Sequence, residues 1–178
     1  MANICVFCAS TNGSDAVYQD VAAQTGTLIG KGGHTLIYGG SNCGLMGIVA
    51  RATQAAGGKV VGILPNIFSD LAQGEDELVR AEDLRHRKAL MEVRSDAFMG
   101  LPGGIGTLDE IADALVSAYL GIHKKPIVIV NTHGFYRHLL AHFEQIYTAQ
   151  FGRPSARDLY HFVEEPVQGM AVIEKCMR

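Results

Sequence analysis

A chain of 178 residues with 48% hydrophobic and 19% charged side chains is long enough to bury a core as one domain and too apolar to be disordered. Its formal net charge of −3 argues against nucleic acid or an anionic membrane as the main partner. Four cysteines do not make a disulfide scaffold, no signal peptide is visible, and no apolar run approaches the ~20 residues of a membrane span, so a soluble cytoplasmic protein is expected.

Residues 4–7 read as a short apolar strand, followed by a small polar loop over residues 8–14. Ser14 or Asp15 can cap a helix running to about Lys31, where Gly32 and Gly33 stop it. Residues 34–38 are the second strand, and a first glycine cluster, Gly39-Gly40-Ser41-Asn42-Cys43-Gly44-Leu45-Met46-Gly47, follows it. A helix from about Leu45 ends at Gly57-Gly58, and residues 59–64 form a third strand stopped by Pro65. Residues 66–82 read as irregular, with a short strand at 77–80, and Asp83 starts a charged helix to about Arg94. The apolar run 97–101 is a buried strand, and the helical pattern 111–120 comes after Pro102-Gly103-Gly104-Ile105-Gly106-Thr107-Leu108-Asp109-Glu110. Residues 127–130 form a continuous apolar strand, 134–150 a helix, 151–158 a loop and 160–163 a final strand, and Pro166 fits the first turn of a last helix.

Strands alternating with helices at this spacing mean βαβ units and a parallel sheet. Strands that are apolar along their length fit a sheet covered on both faces. The expected fold is therefore α/β, a doubly wound Rossmann-like parallel sheet with helices on both faces, in one domain spanning residues 1–178. Ligands in such folds bind beyond the carboxyl ends of the strands. Both glycine clusters follow strands, so both fall on that edge.

The second cluster carries the most chemistry. Glycine lets backbone approach a ligand closely, and the free N–H groups and dipole of the helix that follows favour an anion, a phosphate being the natural guess. Glu110 has two readings at this stage. It completes a capping box with Thr107, or it is an acid working beside a phosphate cradle. The cluster at 39–47 is not a P-loop, because no Gly-Lys-Ser/Thr follows, and it lacks the spacing of a dinucleotide fingerprint.

Four other patterns carry less. Leu84-Arg85-His86-Arg87-Lys88 is a basic helical turn, either a solvated face or a phosphate partner. Cys5 and Cys8 are three apart on a strand and face opposite sides, so they are not expected to form a redox or zinc pair. His138 and His142 share a helix face but lack a zincin pattern, and no metal site is expected. The 111–120 helix is apolar around most of its circumference, which makes a subunit interface plausible.

Taken together, Pro102-Gly103-Gly104-x-Gly106-Thr107-x-x-Glu110 preceded by Arg87-Lys88 resembles the LOG ("Lonely guy") family of cytokinin riboside 5′-monophosphate phosphoribohydrolases. Tyr38-Gly39-Gly40-Ser41 to Gly44-Leu45-Met46-Gly47, Leu120-Gly121-Ile122-His123-Lys124-Lys125-Pro126 and the 131–136 segment resemble it too, so the likeness covers nearly the whole chain. Ile105 stands where Tyr is frequent, and Leu84-Arg85 where Met-His is frequent. The resemblance implies hydrolysis of the N-glycosidic bond of a nucleoside 5′-monophosphate, with release of free base and ribose 5-phosphate. It implies Arg87 and Glu110 as catalytic residues. Gly39, Gly40, Ser41, Lys88, Arg94, Gly103, Gly104, Gly106, Thr107 and Asp109 are expected on the substrate and its phosphate. It implies no metal or organic cofactor, and a homodimer. The family's older label, lysine decarboxylase, gains no support, because no convincing Schiff-base lysine and ring partner can be named for pyridoxal phosphate. A broader AMP or nucleotide nucleosidase and a non-catalytic nucleotide or cofactor carrier are the competing readings.

Overall fold

The computed structural model describes residues 1–71 and 74–177, with the side chains of residues 69–71 left aside. Among the described residues seven strands, β1 (Asn3–Phe7), β2 (Thr35–Tyr38), β3 (Lys59–Pro65), β4 (Glu77–Ala81), β5 (Ala97–Gly100), β6 (Ile127–Val130) and β7 (His161–Val163), form one sheet in the order β4-β3-β2-β1-β5-β6-β7. Every pairing is parallel. Among the described residues six α-helices lie between and after the strands: α1 (Ala16–Lys31), α2 (Gly44–Ala55), α3 (Leu84–Arg94), α4 (Ile105–Tyr119), α5 (Arg137–Thr148) and α6 (Pro166–Cys176).

The apolar strands bury both of their faces. Successive side chains point to opposite sides, so Ile4, Val6 and Cys8 enter one core with α1, α2 and α6, while Cys5 and Phe7 enter the other with α3, α4 and α5. This separates Cys5 from Cys8, and both are free thiols. Three of the helix starts follow capping residues. Asp15 Oδ1 accepts from the Val17 N–H at 3.0 Å, Asp83 Oδ1 accepts from the His86 N–H at 2.8 Å, and α6 opens on Pro166 behind a Glu165–Gln168 capping box.

The largest departure from expectation is at α4, which begins at Ile105, six residues before the apolar pattern. Its buried stripe is Thr107, Glu110, Ile111, Ala114 and Ala118. Two polar residues open that stripe, so hydrophobic periodicity cannot mark the first turns. Helix α5 starts later than expected. Asn131 Oδ1 accepts from the Tyr136 N–H at 2.7 Å, and Gly134 takes φ +70, which turns the chain before the helix can begin. Short 3₁₀ turns occupy Asn66–Leu71 and Pro154–Leu159, within stretches expected to be irregular or loop, and residues 72 and 73 lie outside the described residues.

Strand order reverses between β1 and β5. The chain proceeds outward through β2, β3 and β4 on one side and through β6 and β7 on the other. At such a reversal the connections leave in opposite directions and open a crevice above the carboxyl ends of the strands.

Candidate active site

The crevice holds a cavity of about 480 Å³, within the size range of small-molecule sites. Segments after four strands meet around it: Cys8 to Thr11 after β1, Gly39 and Ser41 after β2, Leu64 and Pro65 at the end of β3, and Gly104 to Thr107 after β5. Arg87 from α3 and Glu110 from α4 complete its charged lining.

Two helices are locked together here by two pairs of neighbours. Arg87 Nη2 lies 3.0 Å from Glu110 Oε1, with 13% and 5% of the side chains exposed. One residue after Arg87 on α3, Lys88 Nζ bridges Asp109 Oδ1 at 3.0 Å and Asp113 Oδ1 at 3.2 Å, which flank Glu110 on the more exposed side of α4. Consecutive helical residues point about 100° apart, so one pair faces the cavity and the other binds α3 to α4 behind it. The Arg87 Nε–H also donates to the Ile63 carbonyl at 3.1 Å, which fixes the guanidinium from the β3 side.

The capping reading of Glu110 is corrected by this geometry. The N-cap is Gly104, Thr107 is the third residue of the helix, and the Glu110 carboxylate lies on Arg87. Burial pushes the Glu110 carboxyl up to about 7, against the downward pull of Arg87, with a smaller push from Asp109 and a smaller pull from Lys88. An acid buried in a cleft and poised near neutrality beside a single cation is the pattern of a working group.

The start of α4 supplies the other half of the chemistry. No side chain caps it, and its first residues, Gly104, Ile105, Gly106 and Thr107, all line the cavity. The N–H groups of a helix's first turn lack intrahelical partners and carry the positive end of the dipole. The cavity therefore joins an anion cradle to a buried carboxylate–guanidinium pair.

Several expected residues sit elsewhere. Gly40 and Gly103 adjoin the cavity in sequence but are not among its lining residues, and Lys88 and Asp109 are tied to each other. Arg94 is corrected outright. It ends α3 at the opposite edge of the sheet, where Nη1 pairs with Glu77 Oε1 at 2.8 Å on the first residue of β4. Residues 120–126 also lie at that amino edge. His123 Nε2 meets the Ala114 carbonyl at 3.1 Å, and its Nδ1 accepts from the Lys125 N–H at 3.2 Å, so this segment fastens α4 to β6. His138 and His142 are exposed, and no cluster that could hold a metal is found among the described residues.

Sequence reasoning missed the loop after β1 and, Ile105 apart, the apolar rim. Cys8, Ala9, Ser10 and Thr11 line the cavity, and their only signal was their place after the central strand. Cys8 is an inert wall group, because burial pushes its thiol well above the usual range. Met46, Leu64, Phe68 and Ile105 supply an apolar side, with Ile105 83% exposed at the mouth. Tyr136 holds the site from behind, its hydroxyl donating to the Leu101 carbonyl at 2.7 Å just before the glycine turn.

A family model described as "Possible lysine decarboxylase" matches residues 46–173. No lysine is among the residues lining the cavity, so pyridoxal phosphate would find no amine there for a Schiff base. The description does not fit the site. An Arabidopsis thaliana protein named cytokinin riboside 5′-monophosphate phosphoribohydrolase LOG5 is 38% identical over 88% of this chain and 70% of its own length. The Arabidopsis protein of the same description, LOG3, is 40% identical over 88% of this chain and 74% of its own. Among solved structures, a molybdenum cofactor binding protein from the phototrophic bacterium Rippkaea orientalis superposes with a TM-score of 0.77 at 22% identity, covering 99% of this chain and 97% of that one. At that identity the likeness is one of fold.

Proposed function

The chain belongs to the LOG family, and we propose that it hydrolyses the N-glycosidic bond of adenosine 5′-monophosphates, including N6-modified ones, to free base and ribose 5-phosphate. The observation that carries this reading is the buried Arg87–Glu110 pair beside the uncapped start of α4. The 5′-phosphate is held by the N–H groups of Gly104 to Thr107, with Gly103 shaping the turn before them. The ribose then lies toward Glu110 and the base toward the apolar rim of Met46, Leu64, Phe68 and Ile105. Gly39, Gly40 and Ser41 form the facing wall. Lys88 and Asp109 are assigned to hold α3 against α4 rather than to touch substrate.

In the reaction the bond between C1′ and the base nitrogen breaks, and its electron pair leaves with the base. Water adds through oxygen to C1′, and its released proton ends on the base. The ribosyl carbon passes through an oxocarbenium-like state. The Glu110 carboxylate faces that developing positive charge and orients the attacking water, while Arg87 keeps it ionised and aimed. Phosphate binding remote from C1′ serves to position the reacting centre.

A carrier on the same fold would need the cradle but not the acid. A buried carboxylate beside a phosphate site weakens anion binding, and its presence favours turnover. The dimer expected from the sequence is supported by a stripe along α4 and its C-cap, Leu108, Val116 and Leu120, all exposed and at helical spacing. We place the protein in the cytoplasm, where its exposed free thiols Cys43 and Cys176 stay reduced.

The test is incubation with AMP, N6-isopentenyl-AMP and adenosine in the presence of a chelator. Equal release of base and ribose 5-phosphate from the two monophosphates, with adenosine at least ~100-fold poorer in kcat/KM, supports the reading. Tight binding of the monophosphates without release moves the protein to the carrier class.

A further inference from the structure

We propose that Gly39 is a positioning residue, whose missing side chain is the space in which the Arg87 guanidinium lies against Glu110. This rests on the catalytic reading of that pair. A Cβ built on Gly39 falls 2.0 Å from Arg87 Nη2, 3.1 Å from Arg87 Cζ and 3.1 Å from Met46 Sδ. The neighbouring Gly40 needs its glycine for a different reason, a backbone φ of +72. Gly39 has no positive φ, so an alanine there is barred by the guanidinium and not by the backbone.

Arg87 has little freedom to yield. Its Nε–H is committed to the Ile63 carbonyl at 3.1 Å and its Nη2 to Glu110 at 3.0 Å. Restoring ordinary van der Waals distance from a methyl at position 39 means moving Nη2 by more than ~1 Å, which breaks one of these contacts. The glycine pair after β2 thus divides its work: one residue turns the chain and the other seats the arginine.

The experiment compares Gly39→Ala, Arg87→Ala and the double variant, each by kcat, KM, inhibition by ribose 5-phosphate and the pH profile. The groups facing Glu110 are Arg87 and Lys88 on α3, Asp109 on α4, the thiols of Cys5 within β1 and Cys8 just after it, and the Tyr136 hydroxyl before α5. Only Arg87 is displaced by the methyl. Gly39→Ala is expected to lower kcat about as far as Arg87→Ala, on the order of 10²-fold, and to move the acid limb of the profile to higher pH. In the Arg87→Ala background the same methyl should cost less than ~3-fold, because the pair it disrupts is gone. Additive losses, or a rise in KM with an unmoved pH profile, overturn the proposal and make Gly39 part of the substrate cradle. If Gly39→Ala fails to fold, the double variant is expected to fold, since it removes the clash, and its failure also overturns the proposal. Full turnover in Arg87→Ala alone contradicts the catalytic reading instead. The spacing argument is then decided by melting temperature, which Gly39→Ala should lower in the wild-type background and not in Arg87→Ala.

Discussion

Arg87 and Glu110 meet at 3.0 Å across the α3–α4 contact, the acid 5% exposed and the base 13%. The carboxyl is pushed up to about 7 by burial and pulled down by Arg87. On the proposed mechanism the ionised form faces the ribosyl cation, so kcat is expected to rise with pH through about 7 and level off above it. Removing the arginine removes a downward pull. In Arg87→Met the acid limb therefore moves to higher pH, on top of a loss of about 10²-fold in kcat. A pH–rate profile of both proteins checks the direction, and a limb that stays in place separates the titration from Glu110.

The outer pair makes a contrasting prediction. Lys88 bridges two carboxylates whose side chains are 61% and 45% exposed, so Lys88→Met should cost about 1 kcal/mol of stability or less. Inhibition by ribose 5-phosphate should stay within ~3-fold of wild type, because the ammonium is engaged on α4 and away from the phosphate. Weakening beyond ~10-fold places Lys88 on the substrate after all.

The α4 stripe predicts assembly. Val116→Glu with Leu120→Glu sets charges on two exposed apolar positions, and light scattering at micromolar concentration should report a dimer for the wild type and a monomer for the variant. A wild-type monomer removes this surface from the account.

What the chain discloses about itself follows its burial pattern. Strands such as Ile127–Val130 are buried on both faces, and continuous apolar runs announce them. Asp15 and Asp83 mark helix starts because their side chains do the capping. The start of α4 is hidden, since the residues it buries first are Thr107 and Glu110. Buried polar groups break the periodicity that reports packing. For the same reason, hydropathy could not choose between the capping and acid readings of Glu110. The ion pair to a residue 23 positions upstream removes the capping reading, and no local pattern contains that contact. Arg94 failed as a pocket residue because a helix running antiparallel to the strands carries its last turn to the far edge of the sheet. The apolar rim was unreadable, since Met46, Leu64 and Phe68 come from three separate elements.

The central claim is that Glu110 turns a nucleotide cradle into a hydrolase, and Glu110→Gln tests it most directly. The amide keeps the shape and loses the charge. With N6-isopentenyl-AMP the variant should bind within ~10-fold of wild type by calorimetry, melt cooperatively, and release base and ribose 5-phosphate at least ~10³-fold more slowly. Retention of near-wild-type release in a folded Glu110→Gln protein would contradict the account, leaving the Arg87–Glu110 pair as a structural clasp between two helices.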